Sequence, residues 1–166
     1  MILGLSLTAF TVVHFVLSLA AIGTGCVVVF GLFTARPLPL WTALFLSSAT
    51  LTCLTGFMFP FHGMTLSIEM GIPAITVVFL AAIDRYTYIF SGVWRHSYVL
   101  CIMIALYCIV FVLVAQIFDS FLQPTARKPW WPGIFLPLAQ LAVFVLFAVI
   151  TRLALKRFRA VPEQRA

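Results

Sequence analysis

Residues 64–83 read MTLSIEMGIPAITVVFLAAI, an apolar run broken by one carboxylate, Glu69, and one proline, Pro73. Whether this run crosses a membrane decides how the whole chain is threaded. A helix needs about 20 mainly apolar residues to cross a hydrocarbon core, and the run has that length. Against it, Pro73 has no N–H to give to the turn before it, and Glu69 is costly in lipid unless it faces other protein. Five spans follow if the run crosses and four if it is re-entrant.

The rest of the chain sets the solvent. Of 166 residues, 64% are hydrophobic and 8% charged, with a mean hydropathy of +1.19. A soluble domain carries about 25% charged residues, so this composition marks an integral membrane protein. Four further apolar runs cover Thr8 to Phe33, Leu40 to Phe59, Tyr98 to Phe118 and Ile134 to Leu155. Lipid leaves no partner for an unpaired backbone, so such runs cross as helices. The breaks between them are TARPLP (34–39), PFHG (60–63), DRYTYIFSGVWRH (84–96) and DSFLQPTARKPWWPG (119–133), each with the proline, glycine or charge that ends a helix. The expected fold is an all-α membrane bundle occupying residues 1–166 as one domain, with spans at about 8–33, 40–59, 64–83, 98–118 and 134–155.

Charge distribution separates the two threadings. With five spans, one side holds Arg127 and Lys128, and the other holds Arg36, Arg85, Arg95, Arg152, Lys156, Arg157, Arg159 and Arg165. Cytoplasmic loops carry the excess of Lys and Arg, which gives N-out and C-in. Four spans would leave Arg85 and Arg95 outside. The net charge of +6 is concentrated in TRLALKRFRAVPEQR (151–165), and residues 156–166 form a short basic tail. Anionic headgroups account for that block without nucleic acid. The opening MILGLSLTAF has no basic n-region and no small-residue cleavage motif follows it, so it reads as the start of the first helix rather than a signal peptide.

Small residues suggest how the first two helices meet. Ala21 and Gly25 are one turn apart in the first run, and Ser48, Thr52 and Gly56 repeat at the same step in the second. Such faces let helices approach closely. The second run is also rich in hydroxyls, at Thr42, Ser47, Ser48, Thr50, Thr52 and Thr55, which can bond carbonyls a turn back. Cys26, Cys53, Cys101 and Cys108 all fall in the runs, with no CxxC pattern, and read as small packing residues rather than as disulfide or cluster ligands. Trp41, Trp94, Trp130 and Trp131 fall at span ends, as an interfacial belt requires.

Placed by depth, the polar residues gather at one level. His14 lies about 9 Å into the first run at 1.5 Å per residue, and Glu69 enters the third from the same side. Gln116 and Asp119 end the fourth run, Gln140 sits in the matching part of the fifth, and His62 lies in the adjoining loop. Buried polar groups in lipid pair with one another, so a cluster is expected there, with His14 and Glu69 as its central pair. On the opposite side Asp84 and Arg85, within the tripeptide DRY, are expected to pair locally at headgroup level.

Three functions fit these residues. The first is an accessory or structural subunit, packing against other membrane subunits or against itself, with no catalytic residue and no metal. The second is a redox protein that binds a quinone or haem b at the His14, Glu69, Gln116 and Gln140 level. A quinone needs an apolar cleft and one or two hydrogen-bonding groups. Haem in a bundle takes a histidine from each of two facing helices, whereas His62 and His96 lie in loops on opposite sides, so no cofactor is predicted outright. The third is a small-solute transporter that uses Glu69. No phosphate loop, nucleophile elbow or paired catalytic carboxylate occurs, and the reading leans away from an enzyme.

The segments WTALFL (41–46), TGFMFPF (55–61), GVWRHSYV (92–99), ALY (105–107), FVLVAQIF (111–118) and LAQL (138–141), with His14, resemble a broad group of small bacterial inner-membrane proteins, mostly hypothetical. The resemblance implies a multi-span protein of the bacterial inner membrane and supplies no activity. This chain departs from the group's pattern at Ile109, where members often carry Asn, and near Ile68 and Glu69, where members commonly carry His.

Overall fold

The computed structural model describes residues 6–59, 66–88, 93–122 and 132–158. They form five α-helices: α1 (Leu7–Phe33), α2 (Pro39–Phe57), α3 (Leu66–Tyr86), α4 (Trp94–Leu122) and α5 (Pro132–Arg157). No strand occurs among the described residues. Each helix coincides with one apolar run. Ser6 caps α1 by accepting from the Ala9 N–H at 3.2 Å. Pro39 opens α2 at a position where its missing N–H costs nothing. Between them the chain reverses through Ala35, held at φ 54°, and the Arg36 N–H donates to the Gly31 carbonyl at 2.9 Å.

Four helical stretches are long and apolar enough to cross a membrane: Leu7–Phe33, Pro39–Phe57, Trp94–Phe118 and Ile134–Arg157. The described part of α3 is not among them; it carries Glu69 near its start and Asp84 and Arg85 near its end. Pro73 was the expected weak point, yet α3 runs through it unbroken. One proline removes a single hydrogen bond from a helix of 21 residues, and packing against neighbours holds the remainder.

α4 is the centre of the bundle. It packs most extensively on α3 and also touches α5 and α1, while α1 lies along α2 and α2 along α3. The helices α3, α2, α1 and α5 therefore form an arc around it. Ile102 and Ala105 of α4, Phe45 and Ala49 of α2 and Ala21 of α1 are wholly buried in the resulting core. α5 stands at the rim of the arc and exposes Leu138, Leu141, Phe144, Val145 and Val149.

The expected contact of α1 with α2 is present, and its small residues act in two ways. A Cβ added at Gly25 would lie 2.7 Å from Leu106 Cδ1 and 2.9 Å from Phe45 Cε2, so the missing side chain admits a leucine and an aromatic ring from two neighbours. Gly56, near the other end of the same interface, faces the His14 ring, and a Cβ added there would lie 3.5 Å from its Cε1, an ordinary contact distance. Ser48 bonds its own helix, at the Leu44 carbonyl.

The helices alternate in direction, which gives the bundle two ends. At the first, Phe10 of α1 meets Phe59 after α2 edge to face, with centroids 5.0 Å apart. At the second, the Arg157 guanidinium of α5 stands 5.9 Å from the Phe33 ring of α1, and Tyr88 stacks on Trp94 at 3.8 Å. Arg36, Arg85, Arg95 and Arg152 also belong to this second, basic end.

Candidate functional site

His14 lies two turns into α1, where the chain leaves the first end and enters the bundle. Its Nδ1 is 2.7 Å from Oγ1 of Thr55 on α2. The Phe59 ring stands perpendicular to the imidazole, with centroids 5.3 Å apart and planes at 85°. The ring is thus held by a hydrogen bond from one side and an aromatic contact from another, and is half-buried.

Beside it, α1, α2, α3 and α4 line a small cleft of about 50 Å³. Its walls are mainly apolar: Cys53 and Gly56 of α2, Gly71 and Ala74 of α3, Cys108 and Ile109 of α4. The polar residues along it are His14, Ser18, Thr52 and Gln116. The Ser18 hydroxyl is committed to the His14 carbonyl at 2.9 Å. Phe15 and Gln116, both exposed, stand at the rim.

Thr52 is different from the other hydroxyls of α2. Ser47, Ser48, Thr50 and Thr55 each donate to a carbonyl a turn back, as the sequence predicts. Thr42 shares a 3.2 Å hydrogen bond with the Tyr98 hydroxyl. The Thr52 hydroxyl is buried, in a residue only 8% exposed, and has no hydrogen-bond partner. A buried hydroxyl without a partner costs about 1–3 kcal/mol, and such groups are uncommon in folded proteins.

The structure brings together only part of the expected cluster. His14 and Gln116 line the cleft, but Glu69 is exposed, and the hydrogen bond expected between His14 and Glu69 is replaced by that from His14 to Thr55. The reason is rotation rather than depth. Met70, Gly71 and Ala74 occupy the face of α3 that meets the cleft, which turns Glu69 away. Gln140 serves a separate contact, its Nε2 donating to the Phe111 carbonyl of α4 at 3.0 Å and tying α5 to α4. Its Oε1 is buried without a partner. Asp119 lies in the last turns of α4 with its side chain outside the described residues, and His62 falls outside them altogether.

At the basic end the expected headgroup-level pair of Asp84 and Arg85 is also revised. Asp84 is 1% exposed, and neither carboxylate oxygen has a hydrogen-bond partner. Arg85 lies over the Tyr86 ring at 5.9 Å and lines a small cavity with Arg36, Thr42, Tyr98 and Phe158.

Thr52, Cys53 and Cys108 were legible only as packing residues. Cys53, Cys108 and Ala74 form a small buried cluster of their own at the cleft wall, and all four cysteines are free thiols. No group of three or more His, Cys, Asp or Glu able to hold a metal occurs among the described residues. Comparison with protein-family models, with curated proteins and with solved structures returns no match.

Proposed function

We propose that this chain is a multi-span membrane protein whose cleft between α1, α2, α3 and α4 binds an amphipathic small molecule. The polar head enters between His14 and Thr52, and the apolar body leaves past Phe15 and Gln116 toward lipid. The observation that carries this reading is the unpartnered Thr52 hydroxyl, in a residue more than nine-tenths buried that lines a mostly apolar cleft. A ligand oxygen there would remove the desolvation cost that the empty protein bears. A quinone or quinol belongs to the class; a haem fits it less well, because the cleft brings one histidine.

The same reading takes all five helices as spans, N-out and C-in, in a bacterial inner membrane. It rests on the gathering of basic residues at one end and on the partly exposed Trp41 and Trp94 at that end. The test is titration of the full-length protein in lipid nanodiscs with a short-chain quinone and with its quinol. Saturable binding of either form, weakened at least tenfold by Thr52→Leu, is the expected result; saturable binding of neither form contradicts the reading. The competing function, an accessory subunit of a membrane assembly, draws support from α5, which exposes apolar side chains along almost its whole length. Chemical cross-linking of membranes through cysteines placed at Leu141 or Val145 would capture a neighbouring subunit on that reading and only lipid on the first.

A further inference from the structure

The hydrogen bonds around Thr55 fix which atom of His14 carries the proton. A threonine hydroxyl has one proton to donate. Thr55 Oγ1 lies 2.7 Å from the Leu51 carbonyl oxygen, 3.1 Å from the Thr52 carbonyl oxygen and 2.7 Å from His14 Nδ1. If the hydroxyl donated to His14, its oxygen would stand 2.7 Å from the Leu51 oxygen with no proton between two sets of lone pairs. If it donates to Leu51, both short contacts are hydrogen bonds, provided that Nδ1 carries a proton and gives it to Thr55. The second arrangement satisfies every atom. It assigns the Nδ1–H tautomer from the network, and in a neutral imidazole Nε2 is then an acceptor.

Among the described residues Nε2 has no hydrogen-bond partner. Thr55 holds the Nδ1 edge, Phe59 stands perpendicular to the ring, and Cε1 faces Gly56, itself on the cleft wall. His14 lines the cleft, and Nε2 is its ring nitrogen left to bond a ligand there. Resting on the ligand-binding reading above, we infer that the cleft selects a ligand whose head is a hydroxyl, of the phenol or quinol type, and discriminates against the corresponding carbonyl. The hydroxyl donates to His14 Nε2, and the Thr52 hydroxyl, free to donate or accept, gives the head its second polar contact. A quinone carbonyl, which only accepts, would face the Nε2 lone pair and have the Thr52 hydroxyl alone to pair with.

Three probes of one shape separate the outcomes: 4-decylphenol, its methyl ether and decyl-benzoquinone, titrated into the full-length protein in nanodiscs. The phenol is expected to bind about tenfold tighter than the other two, the size of one hydrogen bond kept or lost at a buried site. Thr55→Val, which removes the acceptor that fixes the tautomer, is expected to erase most of that preference, and Thr55→Ser to keep it. Equal binding of phenol and ether, or tighter binding of the quinone, overturns the inference while leaving the cleft a ligand site. Binding of none of the three overturns the ligand-binding reading itself. Nitrogen NMR of histidine-labelled protein supplies a readout that no folding defect can imitate. A His14 signal with Nδ1 protonated and Nε2 bare is expected, and the reverse overturns the inference whatever the probes do.

Discussion

Two threonines of α2 meet opposite fates at the two ends of the bundle. Thr42, 1% exposed, shares its hydroxyl with Tyr98 across the packed basic end, where Phe158 closes the contact. Thr52, 8% exposed, lines the cleft, and its hydroxyl has no partner. The helix, the residue type and the degree of burial are alike; the surroundings differ. A buried polar group is either satisfied by the fold or left to be satisfied by something else. The basic end does the first for Thr42, and the first end leaves Thr52 to the second, in keeping with the general exchange of stability for function at binding sites. Asp84 departs from the pattern, being buried and without a hydrogen bond at the packed end, yet it does not line the small cavity there.

The comparison breaks most visibly if the packed end is opened. Tyr98 is 2% exposed, and Tyr98→Ala is expected to cost about 3–5 kcal/mol of unfolding free energy, in the range for deleting a buried aromatic ring. Reversible unfolding in mixed detergent micelles measures it. A loss below 1 kcal/mol would show that the basic end is not the stabilising half. Gly25→Ala, midway between the ends, should cost about 1–3 kcal/mol by overpacking, because Leu106 and the Phe45 ring must both retreat. Gly56→Ala, by contrast, should change stability by no more than about 0.5 kcal/mol, because its new methyl group would meet His14 at an ordinary contact distance.

These three substitutions show where the sequence could be read and where it could not. Helix number and position were legible: the run from Thr8 to Phe33 became Leu7–Phe33, and that from Leu40 to Phe59 became Pro39–Phe57. The breaks carry proline and glycine, and hydropathy does the rest. The pairing of α1 with α2 was legible from Gly25 and Gly56. Which way each helix is turned was not. A helix that is apolar all round gives no stripe from which to infer its inward face, so depth placed Glu69 beside His14, and rotation placed Met70 and Gly71 at the cleft instead. Thr52 was visible only as one small residue in a row and one hydroxyl among six. Its lack of a partner depends on a side-chain conformation that no spacing rule reports.

The sharpest comparison replaces each threonine by its isostere. Thr42→Val removes half of a satisfied buried pair and should destabilise by about 1–3 kcal/mol, measured by the same unfolding assay. Thr52→Val removes a hydroxyl that bonds nothing and should stabilise the ligand-free protein by about 1 kcal/mol. The most direct test repeats the Thr52→Val measurement with saturating 4-decylphenol. The account predicts that the probe raises the melting temperature of the wild type, while the variant starts higher and gains less. A wild type unmoved by the probe, or a variant less stable than the wild type without it, would contradict the claim that Thr52 is held open for a ligand.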